Sequence, residues 1–296
     1  MSEYEYPKLK VLAITNHKGG VAKTTLAKLI TEYFVRKGLR VLGVDIDPQT
    51  NYSMRFVNMD SETRSPPIHP NFNPDDPDWE DLPTPPPGYW SIAQFFRLGY
   101  VEPYDTDFEN LKFIPSHKSE LTKFLEEVKS NEIEDLVIGH MRNMFSLDYY
   151  QDEFDIVVID TPPQTSALIA SAYRAATHIL IPTMLDEDSI TGMVDMAQLW
   201  KKENEFRTDG KLQLVGILPT IYDNQAASER RSMERLESSG GLSEKIIKPV
   251  MRRLRAYSNT SATYSNPSSL FDMHDSTAAK KEALQFSEEI YRRIFE

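Results

Sequence analysis

The sequence contains no cysteine. That absence excludes a disulfide framework, a thiolate metal site, a cysteine-ligated iron–sulfur cluster and a cysteine nucleophile together, and it fits a reducing compartment. Long apolar runs are lacking as well: no stretch approaches the roughly 20 residues of a membrane-spanning helix. The opening residues, MSEYEYPKLK, carry no apolar segment of the kind a secretory leader needs. Positive charge is in deficit, with 33 Lys and Arg against 45 Asp and Glu, a formal balance of −12. A surface that is acidic throughout would repel a phosphate backbone, so the distribution of charge matters more than its sum. What is present suffices for one large α/β domain: 296 residues, 40% hydrophobic and 26% charged. A soluble, cytoplasmic protein is expected.

Half of the negative balance lies in one segment. From Met59 to Tyr89 there are seven acidic residues and a single basic one, Arg64, together with nine of the chain's 19 prolines. Proline removes backbone donors and fixes φ, so this stretch cannot form a helix or a central strand, and it buries too little to fold alone. It reads as an exposed loop inserted into a domain, solvated in preference to partner-binding. The domain organisation expected is one unit over 1–296 with an insertion at about 59–89.

Ordered structure is predicted from the first strand onward. Leu9 to Thr15 (LKVLAIT) is a short apolar run suited to a buried parallel strand, and NHKGGVAKTT follows it. Leu26, Leu29, Ile30, Tyr33 and Phe34 then recur at helical spacing, with Gly38 as a stop. Arg40 to Asp47 (RVLGVDID) is a second apolar run ending in two carboxylates. Strand, glycine loop, helix and strand make one βαβ unit.

The loop carries the strongest chemical signal. Phosphates need several backbone N–H donors converging on them, and side chains would obstruct that approach. Gly19 and Gly20, followed by Val21 and Ala22, permit the tight turn and the close contact. The helix opening near Lys23 adds its positive dipole end. Lys23 can reach the β- and γ-phosphates, the Thr24 hydroxyl can ligate Mg²⁺, and Thr25 can donate toward the α-phosphate. A bare turn before a helix is the bland alternative. The strand before and the Lys-Thr-Thr ending weigh against it.

This loop departs from the usual GxxxxGK[ST] pattern, because His17 and Ala22 occupy the glycine positions. KGGVAKTT instead resembles the deviant form KGGxxK[ST] of ParA, MinD and their relatives. The resemblance implies ATP and Mg²⁺ as ligands and a doubly wound, mostly parallel α/β sheet flanked by helices. It also implies that Lys18 crosses the interface of an ATP-bound homodimer to the partner's phosphates. Ala22 replaces the glycine that most relatives carry. Asp47, in VDIDPQTN, matches the aspartate that positions the attacking water, and Asp45 is assigned to the metal shell. Phe154 to Pro163 (FDIVVIDTPP) reads as a third buried strand ending in Asp160, a carboxylate placed to hold Mg²⁺ through water, with Pro162 and Pro163 stiffening a γ-phosphate switch.

The likeness continues along most of the chain. WSIAQFFRLG resembles a short helix that follows the insertion point. Leu111 to Glu127 resembles a strand and helix, and ATHILIPT and LQLVGILPTIYD read as further strands, at least six in all. SITGMVDMAQLW reads as an amphipathic helix through Ile190, Met193, Val194, Ala197 and Leu199. From Ser228 to Tyr257 eight basic residues meet four acidic ones. Relatives bind DNA nonspecifically through this region, which nominates Arg230, Arg231, Lys245, Lys248, Arg253 and Arg255. The other reading is a solvated helix face with ordinary ion pairs. Relatives also contact adenine nearby, which assigns Met251 and Arg252 to the nucleotide pocket. Only eight residues precede the first strand, so no N-terminal helix-turn-helix domain is expected.

The function implied is an ATP-dependent DNA-partition ATPase: slow alone, stimulated by a ParB-like centromere-binding partner, and nucleoid-associated when ATP-bound. Two alternatives stand beside it. One is a MinD-like membrane-surface ATPase, for which Ala283, Phe286, Ile290 and Ile294 would supply a C-terminal apolar stripe, although such stripes usually pack on their own domain. The other is a metabolic ATP-dependent enzyme of the same fold.

Overall fold

A computed structural model describes residues 8–73, 75, 88–131, 134–163, 167–207, 210–238, 242–259 and 269–296. Among the described residues seven strands form one sheet: β1 Lys10–Ile14, β2 Val41–Asp45, β3 Tyr104–Asp105, β4 Leu111–Ile114, β5 Ile156–Asp160, β6 His178–Thr183 and β7 Gln213–Pro219. Their order is β3-β4-β2-β5-β1-β6-β7, and all pairs are parallel except β3 with β4. The helices are α1 Lys23–Arg36, α2 Ser53–Phe56, α3 Ile92–Leu98, α4 Lys118–Asn131, α5 Glu134–Phe145 and α6 Asp148–Glu153, then α7 Ala167–Ala175, α8 Glu187–Phe206, α9 Ala227–Ser238, α10 Arg255–Asn259 and α11 Ala278–Phe295. The doubly wound expectation holds.

β2, β5 and β6 are buried along their whole length, as strands covered on both faces must be. α1 packs on β5, β2 and β1 and against α11, which also lies on β7. α5 packs along α7, and α8 covers β6. The α11 stripe expected from sequence is indeed inward: Ala283, Phe286, Ile290 and Ile294 are buried, so that face is taken up by the domain itself. Among the described residues no helix is long and apolar enough to cross a membrane.

Two expectations need correction, and one strand goes beyond those that the apolar runs announce. β3 is a two-residue antiparallel edge strand that no apolar run announced. In α8 the buried positions are Ser189, Gly192, Met193, Met196 and Glu203, while Val194 is 39% exposed. The cause is Gly192: a Cβ there would lie 2.7 Å from Asn16 Oδ1, so this helix approaches the glycine loop through its bare backbone and turns Val194 outward. The insertion at 59–89 is not simply an exposed loop. Met59, Pro66 and His69 are buried, the His69 N–H donates to the Gly88 carbonyl at 2.8 Å, and the Tyr104 hydroxyl donates to the Pro67 carbonyl at 2.8 Å. Residues 74 and 76–87 of it lie outside the described residues.

Candidate active site

The site forms where β1, β2 and β5 end side by side, with Asp45 opposite Asp160 and Ile14 opposite Asp160 in register. Carboxyl ends of parallel strands at a crossover are where such sheets build sites. The chain leaves β1, turns through Gly19 and Gly20 (φ +77), and enters α1 from Ala22 at φ +64, ψ +26. That left-handed conformation is natural for glycine and strained for alanine, and Ala22 offers α1 no side-chain cap. The first N–H groups of α1 are thereby left to an anion.

Three ties hold the loop. Asn16 donates from Nδ2 to the Pro182 carbonyl at 2.7 Å and accepts from the Lys18 N–H at 2.9 Å. Thr220, just past β7, donates to the Val21 carbonyl at 3.1 Å. Lys23, only 6% exposed, donates from Nζ to the carbonyls of Asn16 and Lys18, both at 3.0 Å. Burial lowers the Lys23 pKa, and Asp160 and Asp47 oppose that shift. Sequence reading missed Asn16 and Thr220; Thr220 lies some two hundred residues from the loop, and nothing local marks it.

The carboxylates divide their work. Asp160 is fully buried, and its Oδ2 accepts from the Thr24 hydroxyl at 2.7 Å while Oδ1 has no partner among the described residues. Burial first, and the neighbouring Asp45 second, push its pKa well above the ordinary carboxylate range. Asp45 is also fully buried, but its oxygens are engaged: Oδ1 by the Asp47 N–H at 3.0 Å, and Oδ2 by Ser53 N–H and hydroxyl at 2.8 and 2.7 Å. It anchors the loop after β2 and is pushed up to about 7, chiefly by burial. Asp47 is half-buried, accepts from the Gln49 N–H at 2.9 Å, and is raised by burial against the pull of Lys23.

An orphaned oxygen on a buried carboxylate, touching a threonine hydroxyl beside a phosphate-binding loop, fits Mg²⁺. Among the described residues no three His, Cys, Asp or Glu side chains are set to hold a metal by themselves. Mg²⁺ suits that arrangement, since it takes one or two protein oxygens and completes its octahedron with phosphates and water. Thr24 and Asp160 would hold it.

The remaining nominated residues lie at the edges. Lys18 pairs with Asp188 of α8 at 2.9 Å, a bond that raises its pKa. Met251 is buried; its N–H donates to the Pro219 carbonyl at 2.9 Å and its carbonyl accepts from the Tyr222 N–H at 3.1 Å, which puts it at the loop-facing end of β7. Arg252 pairs with Glu282 of α11. Among the DNA candidates, Lys248 pairs with Glu237, Arg253 pairs with Glu229, and Arg230 donates to the carbonyls of Asn224 and Gln225. Arg231, Lys245 and Arg255 make no ion pair among the described residues, and Arg231 and Arg255 are exposed.

A protein-family profile described as an AAA domain matches residues 9–214. The chain is 31% identical over 273 residues to a putative replication protein A of Rhizobium rhizogenes, covering 83% of this chain and 63% of that relative. It spans 47% of the length of a second putative replication protein A, from Sinorhizobium fredii. A virulence plasmid ParA family protein of Chlamydia psittaci is 24% identical and matches 97% of this chain and 96% of its own. Among solved structures, apo McdA of Cyanothece superposes with a TM-score of 0.71 at 15% identity, over 96% of this chain and 99% of McdA. A putative plasmid partition protein of Borrelia burgdorferi, bound to AMPPNP, gives 0.69 at 18% identity, over 97% and 100%. Loop, carboxylates and sheet order agree with the profile match, and these likenesses share the fold: the chain belongs to the family of AAA-domain proteins.

Proposed function

We propose that this chain is the ATPase of a DNA-partition system, using ATP binding and hydrolysis to time its attachment to DNA. The observation that carries the reading is the Thr24 hydroxyl bonded to the buried Asp160, whose second oxygen has no partner among the described residues, with the Lys23 ammonium near enough to feel its charge. Backbone N–H groups from Gly19 to Thr25 would bind the phosphates, and Lys23 would exchange the carbonyls of Asn16 and Lys18 for phosphate oxygens. Bound Mg²⁺ would neutralise phosphate charge. Asp47 would orient the attacking water and take its proton, a role helped by a carboxylate whose pKa burial has raised. Met251 and Arg252 would flank the adenine.

In the ATP state two copies would close face to face, each Lys18 leaving Asp188 for the partner's phosphates. The dimer would bind DNA nonspecifically, with Arg231, Lys245 and Arg255 the best-placed cations. A ParB-like partner would accelerate hydrolysis and so reset the switch. The test is a DNA-binding titration with ATP, ADP and no nucleotide, at two salt concentrations, with anionic liposomes in parallel. ATP-dependent binding that weakens steeply with salt is expected. Binding to liposomes alone, or to neither, would transfer the site to a membrane-surface or metabolic role.

A further inference from the structure

The one basic residue between Met59 and Tyr89 does not pair with an acid among the described residues. Arg64 donates from Nη1 to the Gln49 carbonyl at 2.9 Å, to Asn51 Oδ1 at 3.0 Å and to Thr50 Oγ1 at 3.5 Å. Those three residues form the turn that follows Asp47. The turn closes on Asp47 itself: the Gln49 N–H donates to Asp47 Oδ1 and the Thr50 N–H to the Asp47 carbonyl at 3.0 Å. Thr50 sits at φ +58, a left-handed conformation that a β-branched residue keeps only where its surroundings hold it.

Arg64 is itself presented by a built turn. The Arg64 N–H donates to the Asp60 carbonyl at 3.0 Å and the Asp60 N–H to the Ser65 carbonyl at 2.9 Å. The Asp60 carboxylate accepts from the N–H groups of Glu62 and Thr63 and from the Thr63 hydroxyl, bonds that hold its pKa below the usual range. Arg64 stands at φ +56, and the buried Pro66 lies two residues on. Composition marks the insertion as unable to build secondary structure, yet its first residues are organised to deliver one guanidinium to one place.

We propose that Arg64 is a positioning residue for hydrolysis, clamping the Asp47 turn from the insertion so that the Asp47 carboxylate is held toward the nucleotide. The inference rests on the reading of Asp47 given above. A guanidinium suits the task, since it stays charged and its planar donors fix direction. The insertion thus has a part in the active site that its acidic composition hides.

The test uses the full chain and three measurements: steady-state ATP hydrolysis, affinity for a fluorescent non-hydrolysable ATP analogue, and thermal melting. Arg64→Ala should lower kcat about fivefold to tenfold through loss of orientation. Analogue affinity should stay within about twofold, since phosphate contacts are untouched, and the melting temperature within about 2 °C. Arg64→Lys should recover part of the rate, because an ammonium can still donate to the Gln49 carbonyl. Unchanged kcat in Arg64→Ala, or a loss matched by equal losses of affinity and stability, overturns the clamp. Should Arg64→Ala fail to fold, Asp60→Ala releases the presenting turn while keeping the guanidinium; a loss confined to kcat supports the clamp and an unchanged kcat overturns it. Asp47→Asn separates the two readings. Full hydrolysis by that variant removes the Asp47 assignment and the clamp with it, whereas an inactive Asp47→Asn beside a normal Arg64→Ala removes the clamp alone.

Discussion

Asp160→Asn should make the nucleotide-free protein more stable while disabling its chemistry. Asp160 is wholly buried, faces Asp45 across paired strands, and accepts one hydrogen bond, from Thr24. An asparagine keeps that bond through its carbonyl oxygen and carries no charge. The linkage sign is set by a folded-state pKa raised above the unfolded value. Such a carboxyl costs nothing below the unfolded pKa and destabilises the fold increasingly as pH rises toward the folded pKa. For a group held protonated, the cost grows by about 1.4 kcal/mol per pH unit. That slope is the ceiling on what the variant gains per pH unit, and the gain is smallest at the acidic end of the range. Melting entropy scales with length, so for 296 residues each 1.4 kcal/mol corresponds to about 2 °C. The assay is calorimetric melting without nucleotide from pH 5 to 8. The variant should melt above the unsubstituted protein at pH 7.5, and the gap should narrow as pH falls. With ATP and Mg²⁺ the order should reverse, because only the unsubstituted protein gains ligand stabilisation. A variant that melts lower without nucleotide, or a gap that ignores pH, would refute the reasoning.

Ala22→Gly removes a left-handed strain of about 1–2 kcal/mol but frees the unfolded chain by about 0.4–1 kcal/mol. The melting temperature should therefore rise by no more than about 2 °C, with ATP affinity equal or slightly improved in a direct titration. Gly192→Ala pushes a methyl onto Asn16 and should cost about 1–3 kcal/mol, with ATP affinity falling in the same preparation because Asn16 holds the Lys18 N–H. Lys18→Ala should bind ATP as a monomer but fail to dimerise in light scattering. Lys23→Ala should lose nucleotide binding outright in an equilibrium titration.

Most of the frame was readable because its signals are local. β1, β2, β5, β6 and β7 are apolar runs that must be strands once a glycine loop and a helix punctuate them, and the α11 stripe records its own burial. Thr24 and Asp160 were nominated separately, and the fold brings their side chains into contact. What escaped depends on partners distant in sequence. β3 is too short for a period to appear, and Thr220 matters only because β7 ends beside Val21. The resemblance assigns Asp45 to the metal shell, yet its oxygens accept from the Asp47 N–H and from Ser53, partners that no motif marks. The outward turn of Val194 follows from one close approach, at Gly192, that no hydropathy stripe encodes.

The grip of Lys23 on its own loop has a kinetic consequence. With two carbonyls satisfied by the ammonium, the loop is closed on itself and lacks the slack of an unstructured segment. Phosphate oxygens must therefore compete with main-chain acceptors for the same donors. Arrival and departure of nucleotide become a swap of acceptors within a nearly fixed frame, so large rearrangement is left to what lies beyond the loop, beginning with Asp188 and α8.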